Sequence, residues 1–158
     1  AGGSDIALCC DFILMQKGAR FGYPPARIWG CPTTAMWVFK CGIAHAKRYL
    51  MTGDLMSAEE AFRVGVACEI AEDFDSLNQA ALKLAHRMTT MPLNQLAMQK
   101  LVLNQALHNQ GLESQQILAT VMDGVARHTP EGVYFKKRCE KVGFKQAVKE
   151  RDNPKAKL

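Results

Sequence analysis

A glycine pair and an acid near the start of the chain could together form a site for an anionic group. Gly2 and Gly3 precede the apolar residues 6–8, and Asp5 lies between them. The first amides of a helix have no partner within the helix and carry partial positive charge, so glycines there let a ligand oxygen approach bare N–H groups. The same dipole favours the ionised form of Asp5, which could take a proton or hold a water molecule.

A second interpretation of these residues needs no ligand. The glycines would then form a turn, and Asp5 would only cap a short helix. The anion-site interpretation requires a buried helix that begins at the glycines, with its first amides facing a cleft.

The residues that follow predict the elements that would position this helix. Residues 12–15 form an apolar run typical of a buried strand, and residues 20–23 form a second extended segment. Prolines and glycines mark a loop at 24–32, after which two helices separated at Gly42 are predicted, at 33–39 and 44–50. Ser57 and Glu60 have the spacing of a capping box, and Gly65 is placed to end that helix before a strand at 66–70.

The second half of the chain predicts helices alone. Apolar spacing becomes helical from Asp75, and further helices are predicted from Pro92, from Gly111 to about Ala126, and from Thr129. We therefore divide the chain into an α/β part, residues 1–72, and a helical part, residues 73–158. The apolar faces around 96–107 and 117–125 are wider than a small strand layer could cover, which predicts oligomerisation.

Composition narrows the class of protein. The chain has 158 residues, 48% of them hydrophobic, and a net charge of +5 concentrated near the C-terminus, which is less than a dedicated nucleic-acid-binding protein shows. No apolar stretch approaches the length of a membrane span. Six cysteines lie mostly in apolar runs without a Cys-x-x-Cys pair, which predicts buried thiols and neither zinc nor disulfides. We expect a reducing compartment, the cytoplasm, or the mitochondrial matrix or peroxisome in a eukaryote.

Four ordered motifs carry a resemblance to a known family. The opening Gly-Gly-x-acid-Ile-Ala-Leu-x-Cys-Asp resembles the central signature of the enoyl-CoA hydratase/isomerase (crotonase) family. Residues 20–24, Arg-Phe-Gly-Tyr-Pro, resemble its Phe-Gly-x-Pro motif. The segment 50–61 resembles its Leu-Thr-Gly stretch, and 64–67 match the turn that follows. These motifs correspond to the later, larger part of a family member, so we expect the beginning to be absent.

The resemblance implies a fold and a chemistry. Family members build spiral turns of strand, strand and helix, followed by helices that form a trimer, so a homotrimer or a dimer of trimers is expected. They bind acyl-CoA thioesters and stabilise an enolate-like oxyanion with two backbone N–H groups. By motif position one donor is the N–H of Gly2, with Gly3 making room for the substrate carbonyl, and the other donor would precede Ala1. No cofactor is expected beyond the coenzyme A of the substrate.

Hydratases of the family use two carboxylates, and this chain matches only one of them. Asp5 takes the place of the first acid, whereas the second place falls on Pro25, which has no proton to give or take. Hydration of a 2-enoyl-CoA is the nearest named reaction. Isomerisation, thioester hydrolysis, decarboxylation, C–C hydrolysis and a non-catalytic binding role remain open.

Further substrate contacts follow from the resemblance. Tyr23, Pro25 and Trp29 lie along the loop where the acyl group binds in relatives, although core packing is an alternative for the tryptophan. Lys137 and Arg138 could reach the phosphates of coenzyme A, although the alternation of basic and acidic residues there also fits a solvated helix face. No aromatic residues suited to base stacking accompany the charge, so nucleic-acid binding is not predicted.

Overall fold

The structure, a computed structural model, describes residues 1–34 and 36–153. The elements, in chain order, are α1 (Gly2–Leu8), β1 (Leu14–Gln16), β2 (Arg20–Gly22), a 3₁₀ helix (Pro24–Arg27), α2 (Met36–Thr52), β3 (Leu55–Ser57), α3 (Ala58–Arg63), β4 (Glu69–Ala71), α4 (Phe74–Thr89), α5 (Leu93–Asn109), α6 (Leu112–Ala126), α7 (Pro130–Val142) and α8 (Phe144–Asp152).

The short strands form two separate pairs. β1 runs parallel to β4, with Met15 opposite Ile70, and β2 runs antiparallel to β3, with Phe21 opposite Met56. The consecutive strands β1 and β2 therefore belong to different pairs, and each pair is completed by a strand from more than thirty residues later in the chain. A helix follows each of the completing strands, α3 after β3 and α4 after β4.

Two predicted strand positions are corrected. The first strand begins at Leu14 rather than at residue 12, because Phe12 is 48% exposed and belongs to the turn after α1. The last strand begins at Glu69 rather than at residue 66, because the amides of Val66 and Ala67 both donate to the Ala61 carbonyl at 2.8 and 3.0 Å. Those amides close the end of α3 and are not free for a strand ladder.

The predicted break in α2 and the predicted starts of α3 and α7 agree with the structure. Gly42 interrupts α2 with φ 74° and ψ 158°, a conformation that glycine adopts without a side-chain clash. The Ser57 hydroxyl accepts a hydrogen bond from the Glu60 amide at 3.2 Å and begins α3, which is one half of the predicted capping box, whereas the Glu60 carboxylate pairs with Arg63. Thr129 does the same for the Gly132 amide at the start of α7.

The core lies where α1, α2, α3 and the strand pairs meet. Leu8, Trp37 and Met56 are its largest fully buried side chains, and the Trp37 ring lies 5.3 Å from the ring of Phe21. Burial of this size is the main favourable contribution to folding. The C-terminal end of α1 is thereby held against α2, and this contact sets the position of Asp5 one turn earlier.

The helical part adds few buried apolar residues to this core. α4 packs against β1 and β4, α5 against α6, α7 against α8, and α8 against the 3₁₀ helix. The apolar residues of α5 and α6 are largely exposed, with Leu101 at 70% and Ile117 at 67%. Among the described residues no helix is both long enough and apolar enough to cross a membrane.

The prediction of buried thiols is wrong for most of the cysteines. All six are free, but only Cys41 is buried, whereas Cys9, Cys10 and Cys68 are exposed. The physical reason for the first pair is local, because α1 ends at Leu8 and the next two residues turn away from the core.

Candidate active site

The start of α1 presents two amides with no partner. The helix begins at Gly2 as predicted, and the amides of Ser4 and Asp5 both donate to the Ala1 carbonyl, at 2.8 and 3.2 Å. The amides of Gly2 and Gly3 have no acceptor within residues 1–34 and 36–153. A Cβ placed on either glycine would meet no atom within 4 Å. The arrangement therefore offers two N–H groups and open space at the positive end of a short helix.

The prediction that this helix is buried is wrong. Only Leu8 of α1 is buried, and both glycines are exposed, because among the described elements this helix packs chiefly against α2. A cavity of about 590 Å³ adjoins the opposite end of α1 and is lined there by Cys9, Cys10 and neighbouring residues. Gly2, Gly3 and Asp5 do not line it, so a cleft at the helix start stays a prediction.

Asp5 is half-buried and held by one directional contact. Its carboxylate accepts a hydrogen bond from the Trp37 indole N–H at 2.9 Å. Burial raises the pKa of Asp5 above its usual range, the Trp37 hydrogen bond opposes this shift, and the negative charge of Asp123 adds to it. A carboxylate with a raised pKa and a fixed orientation is suited to accept and return a proton.

The helix start is also connected to β2, which leads into the predicted substrate loop. The Gly22 amide donates to the Ser4 hydroxyl at 3.1 Å, and the Ala1 backbone nitrogen donates to the Gly22 carbonyl. The next residue, Tyr23, is 8% exposed, and its hydroxyl donates to the Cys31 carbonyl at 3.0 Å. Burial raises the pKa of Tyr23 to about 12, so its phenol keeps its proton at neutral pH. Tyr23 thus closes the loop from residue 23 to 31.

Pro25 lies buried inside this loop. Its carbonyl accepts hydrogen bonds from the amides of Ile28, Trp29 and Gly30, at 3.0 to 3.1 Å. The position of the family's second acid is therefore filled by a packed ring, with its backbone oxygen used to hold the turn.

Trp29 is held between two residues of the helical part. Its ring stacks on Phe135 of α7 at 6.0 Å, and the Arg127 guanidinium lies 4.8 Å from the ring centroid. The indole N–H is buried and has no acceptor among the described residues. These two contacts explain the position of the Trp29 ring. Its N–H remains available to an acceptor from outside the described residues.

The two basic residues predicted to reach coenzyme A differ in their surroundings. The Arg138 guanidinium makes two 2.8 Å hydrogen bonds to Glu150, which joins α7 to α8 and lowers the pKa of that carboxyl to about 2. Lys137 is exposed on α7. In the part of the chain described, neither side chain bonds to Asp5, Tyr23 or the loop.

Three residues of this region were not found as site residues from the sequence. Trp37 donates its indole N–H to Asp5, a contact that no motif in the sequence indicates. Asp123 and Arg127 were not singled out, although their spacing of four residues and the isolation of Asp123 in an apolar helix were visible. The Asp123 carboxylate accepts from the Cys31 amide at 3.1 Å and from Arg127 at 2.7 Å.

The chain is similar in sequence to known proteins of one family. The model of the enoyl-CoA hydratase/isomerase family matches residues 1–146. A putative enoyl-CoA hydratase of Thermus thermophilus is 32% identical over 145 residues, which cover 87% of this chain and 56% of that protein. A crotonyl-CoA hydratase of Syntrophomonas wolfei is 31% identical over 116 residues, 72% of this chain and 42% of that protein.

Solved structures confirm the predicted fold. An enoyl-CoA hydratase from Mycobacterium smegmatis superposes with a TM-score of 0.92 and 45% identity over 98% of this chain and 52% of that one. An enoyl-CoA hydratase/isomerase from Xanthobacter autotrophicus superposes with a TM-score of 0.85 at 25% identity. The chain spans about half the length of these relatives. Since the family model covers nearly all of it and the fold agrees, the chain belongs to the enoyl-CoA hydratase/isomerase family.

Proposed function

We propose that the protein containing this chain adds water to a 2-enoyl-CoA thioester. The observation that carries the proposal is the start of α1, where the unpaired Gly2 amide lies within one turn of the Asp5 carboxylate and Gly3 leaves open space beside it. Hydration develops negative charge on the thioester oxygen, and backbone N–H groups stabilise such charge without reorganising. Asp5 would hold the water or transfer its proton.

The names of the relatives support the same reaction. Both relatives compared above are named hydratases, one of them for crotonyl-CoA. We therefore propose a short 2-enoyl-CoA as substrate. The second oxyanion donor would come from outside the described residues, and the coenzyme A of the substrate is the only cofactor required.

A second candidate function is favoured by one observation, the buried Pro25. Because the second acid is absent from this loop, a reaction that needs only an oxyanion hole and one carboxylate fits the described residues equally well. Thioester hydrolysis, decarboxylation and C–C hydrolysis are of this kind. A role as a binding module would retain the fold without turnover.

Product analysis distinguishes these candidates. The intact gene product is incubated with crotonyl-CoA, and the products are separated and identified by mass. A gain of one water without loss of coenzyme A supports hydration, release of free coenzyme A supports thioester hydrolysis, and unchanged substrate contradicts the proposed reaction.

We also propose a homotrimer, or a dimer of trimers, in the cytoplasm. The exposed apolar residues of α5 and α6 support the assembly, since a surface of this kind is stable only when covered. Six free cysteines support a reducing compartment.

A further inference from the structure

Helix α6 buries one of its two acids, Asp123, and exposes its apolar residues, the reverse of the usual pattern. Asp123 is 6% exposed and is the one buried residue of this helix, whereas Ile117, Leu118 and Val125 are more than half exposed. Burial of a carboxylate is unfavourable unless its oxygens find partners. The contacts of Asp123 therefore show which part of the protein α6 holds in place.

Both carboxylate oxygens of Asp123 are used. Oδ1 accepts from the Cys31 amide at 3.1 Å, and Oδ2 accepts from Nε and Nη2 of Arg127 at 3.1 and 2.7 Å. The Cys31 carbonyl is bound at the same time by the Tyr23 hydroxyl. The peptide groups on either side of Cys31 are thus fixed, one by α6 and one by the residue that follows β2.

Arg127 extends the same arrangement to Trp29. Its guanidinium is held by Asp123 and lies over the Trp29 ring. The same ring stacks on Phe135 of α7. Asp123 therefore holds Cys31 by direct contact and holds Trp29 through Arg127.

We propose that Asp123 is a positioning residue for the acyl-CoA site. It holds the loop from Tyr23 to Cys31 in a fixed position, and its negative charge acts on the Asp5 carboxylate through space. This inference rests on the proposed function.

The charged and titratable groups around Asp5 are few, so the effect of Asp123 can be measured. Among the described residues, the Trp37 indole donates to Asp5 from α2, Tyr23 follows β2, and Asp123 comes from α6. Of these groups, Asp123 is the one whose charge raises the pKa of Asp5, so neutralising it lowers that pKa.

The test uses the intact gene product and crotonyl-CoA, with Asp123→Ala, Asp123→Asn and a matched control. Asp123→Asn keeps an oxygen that can accept from the Cys31 amide but removes the charge. Asp123→Ala removes both. Glu60→Gln is the control, because Glu60 is also a carboxylate bound twice by an arginine, Arg63, at 2.7 Å on α3 away from the loop.

We expect kcat/KM to fall about 100-fold in Asp123→Ala, the size of loss that a misplaced substrate contact causes. Asp123→Asn should recover part of this loss, and its acid limb in the pH profile should move to lower pH. Glu60→Gln should match wild type in both measurements. Kinetics like wild type in both Asp123 variants would overturn the inference, as would lower activity in Asp123→Asn with an unmoved acid limb, since a purely structural contact produces that result.

A second measurement separates this inference from the proposed reaction. If wild type does not hydrate crotonyl-CoA, the reaction is wrong, and the positioning role is then judged by the Kd for butyryl-CoA. Weaker binding in Asp123→Ala, partly restored in Asp123→Asn and unchanged in Glu60→Gln, supports it. Equal affinities in all four proteins, or no binding by wild type, would overturn it.

Discussion

The chemistry available to Asp5 depends on two neighbours that act in opposite directions. Burial and the charge of Asp123 favour the protonated acid, while the Trp37 indole N–H stabilises the carboxylate. A proton-transfer group is most effective when neither form is strongly favoured at the working pH. The environment of Asp5 therefore fits a role in proton transfer, and substitutions of Asp5 and its neighbours can test that role.

Asp5→Asn should abolish most turnover and leave the fold intact. The amide oxygen can still accept from Trp37, and the backbone N–H groups of Gly2 and Gly3 do not change, so substrate binding should persist. We expect kcat to fall by about 10²- to 10⁴-fold, the usual contribution of a general acid or base. Loss of absorbance of the conjugated thioester measures this.

A neighbouring acid provides the control for this variant. Asp11 is exposed and pairs with Lys100 at 2.6 Å, so Asp11→Asn removes a carboxylate just after the same helix without touching Trp37. It should hydrate crotonyl-CoA at the wild-type rate. An Asp5→Asn variant as active as Asp11→Asn would show that the catalytic acid lies elsewhere.

Trp37→Phe should move the pH dependence of the reaction upwards. The substitution keeps an aromatic ring against Phe21 but removes the donor to Asp5. Because that hydrogen bond lowers the pKa of Asp5, its loss raises the pKa, and the acid limb of kcat/KM shifts to higher pH. The pH profile, recorded beside a melting curve to exclude unfolding, checks the sign. A limb that stays in place or shifts to lower pH would contradict this account of Asp5.

At the scale of single residues, motifs in the sequence single out candidate site residues but not the residues that contact them. Asp5 and Tyr23 follow from motif position, but the Trp37 donor is 32 residues from Asp5 and Asp123 is 92 residues from Cys31. Such contacts depend on how helices pack, and the spacing of residues within one helix carries no information about them.

Among the elements, the start of α7 is placed so closely against the end of α6 that one glycine is required. A Cβ on Gly132 would lie 2.3 Å from the Ala126 carbonyl oxygen and 2.9 Å from the backbone of Arg127. Those are backbone atoms that cannot rotate away. The close approach sets the angle at which α7 brings Phe135 to Trp29.

Gly132→Ala should therefore destabilise the protein by about 1–3 kcal/mol, the usual cost of overpacking a close contact. Gly124→Ala is the matched control on α6, because a Cβ there meets nothing within 4 Å. An alanine in a helix interior should raise the free energy of unfolding by about 0.5–1 kcal/mol. Denaturant unfolding of both variants measures the two effects, and equal shifts would contradict the close approach of α6 and α7.

The helices of the second half were predictable from the sequence, element ends were less so, and the strand β3 (Leu55–Ser57) was not predicted. Gly42, Gly65 and Thr129 mark breaks and caps through backbone conformations that these residue types favour, and the structure has them where predicted. The strand ends at residues 12 and 66 were misplaced because apolar side chains at a turn look like strand residues. The burial of α1 was overestimated because its motif says nothing about which surfaces pack beside it.

For the whole molecule, the exposed apolar surface of α5 and α6 is the feature that needs a partner. Its members are Leu93, Met98, Leu101, Val102, Leu103, Ile117, Leu118, Val121, Met122 and Val125, exposed by 41 to 80%. An apolar surface this extensive is unusual on a protein that functions alone. The proposed trimer would cover it with neighbouring subunits.

Light scattering of the intact gene product should give the mass of three or six chains at micromolar concentration. Leu101→Lys places a charge in the exposed apolar surface, where Leu101 is 70% exposed, and should lower the mass toward that of a single chain. Gln79→Lys adds the same charge on the exposed side of α4 and should leave the mass unchanged. Both variants gain one positive charge, but on different helices. A difference in mass between them therefore reports on the exposed apolar surface of α5 and α6. A wild type that is monomeric, or a Leu101→Lys variant with an unchanged mass, would show that α5 does not lie in a subunit interface and that other parts of the protein cover its apolar residues.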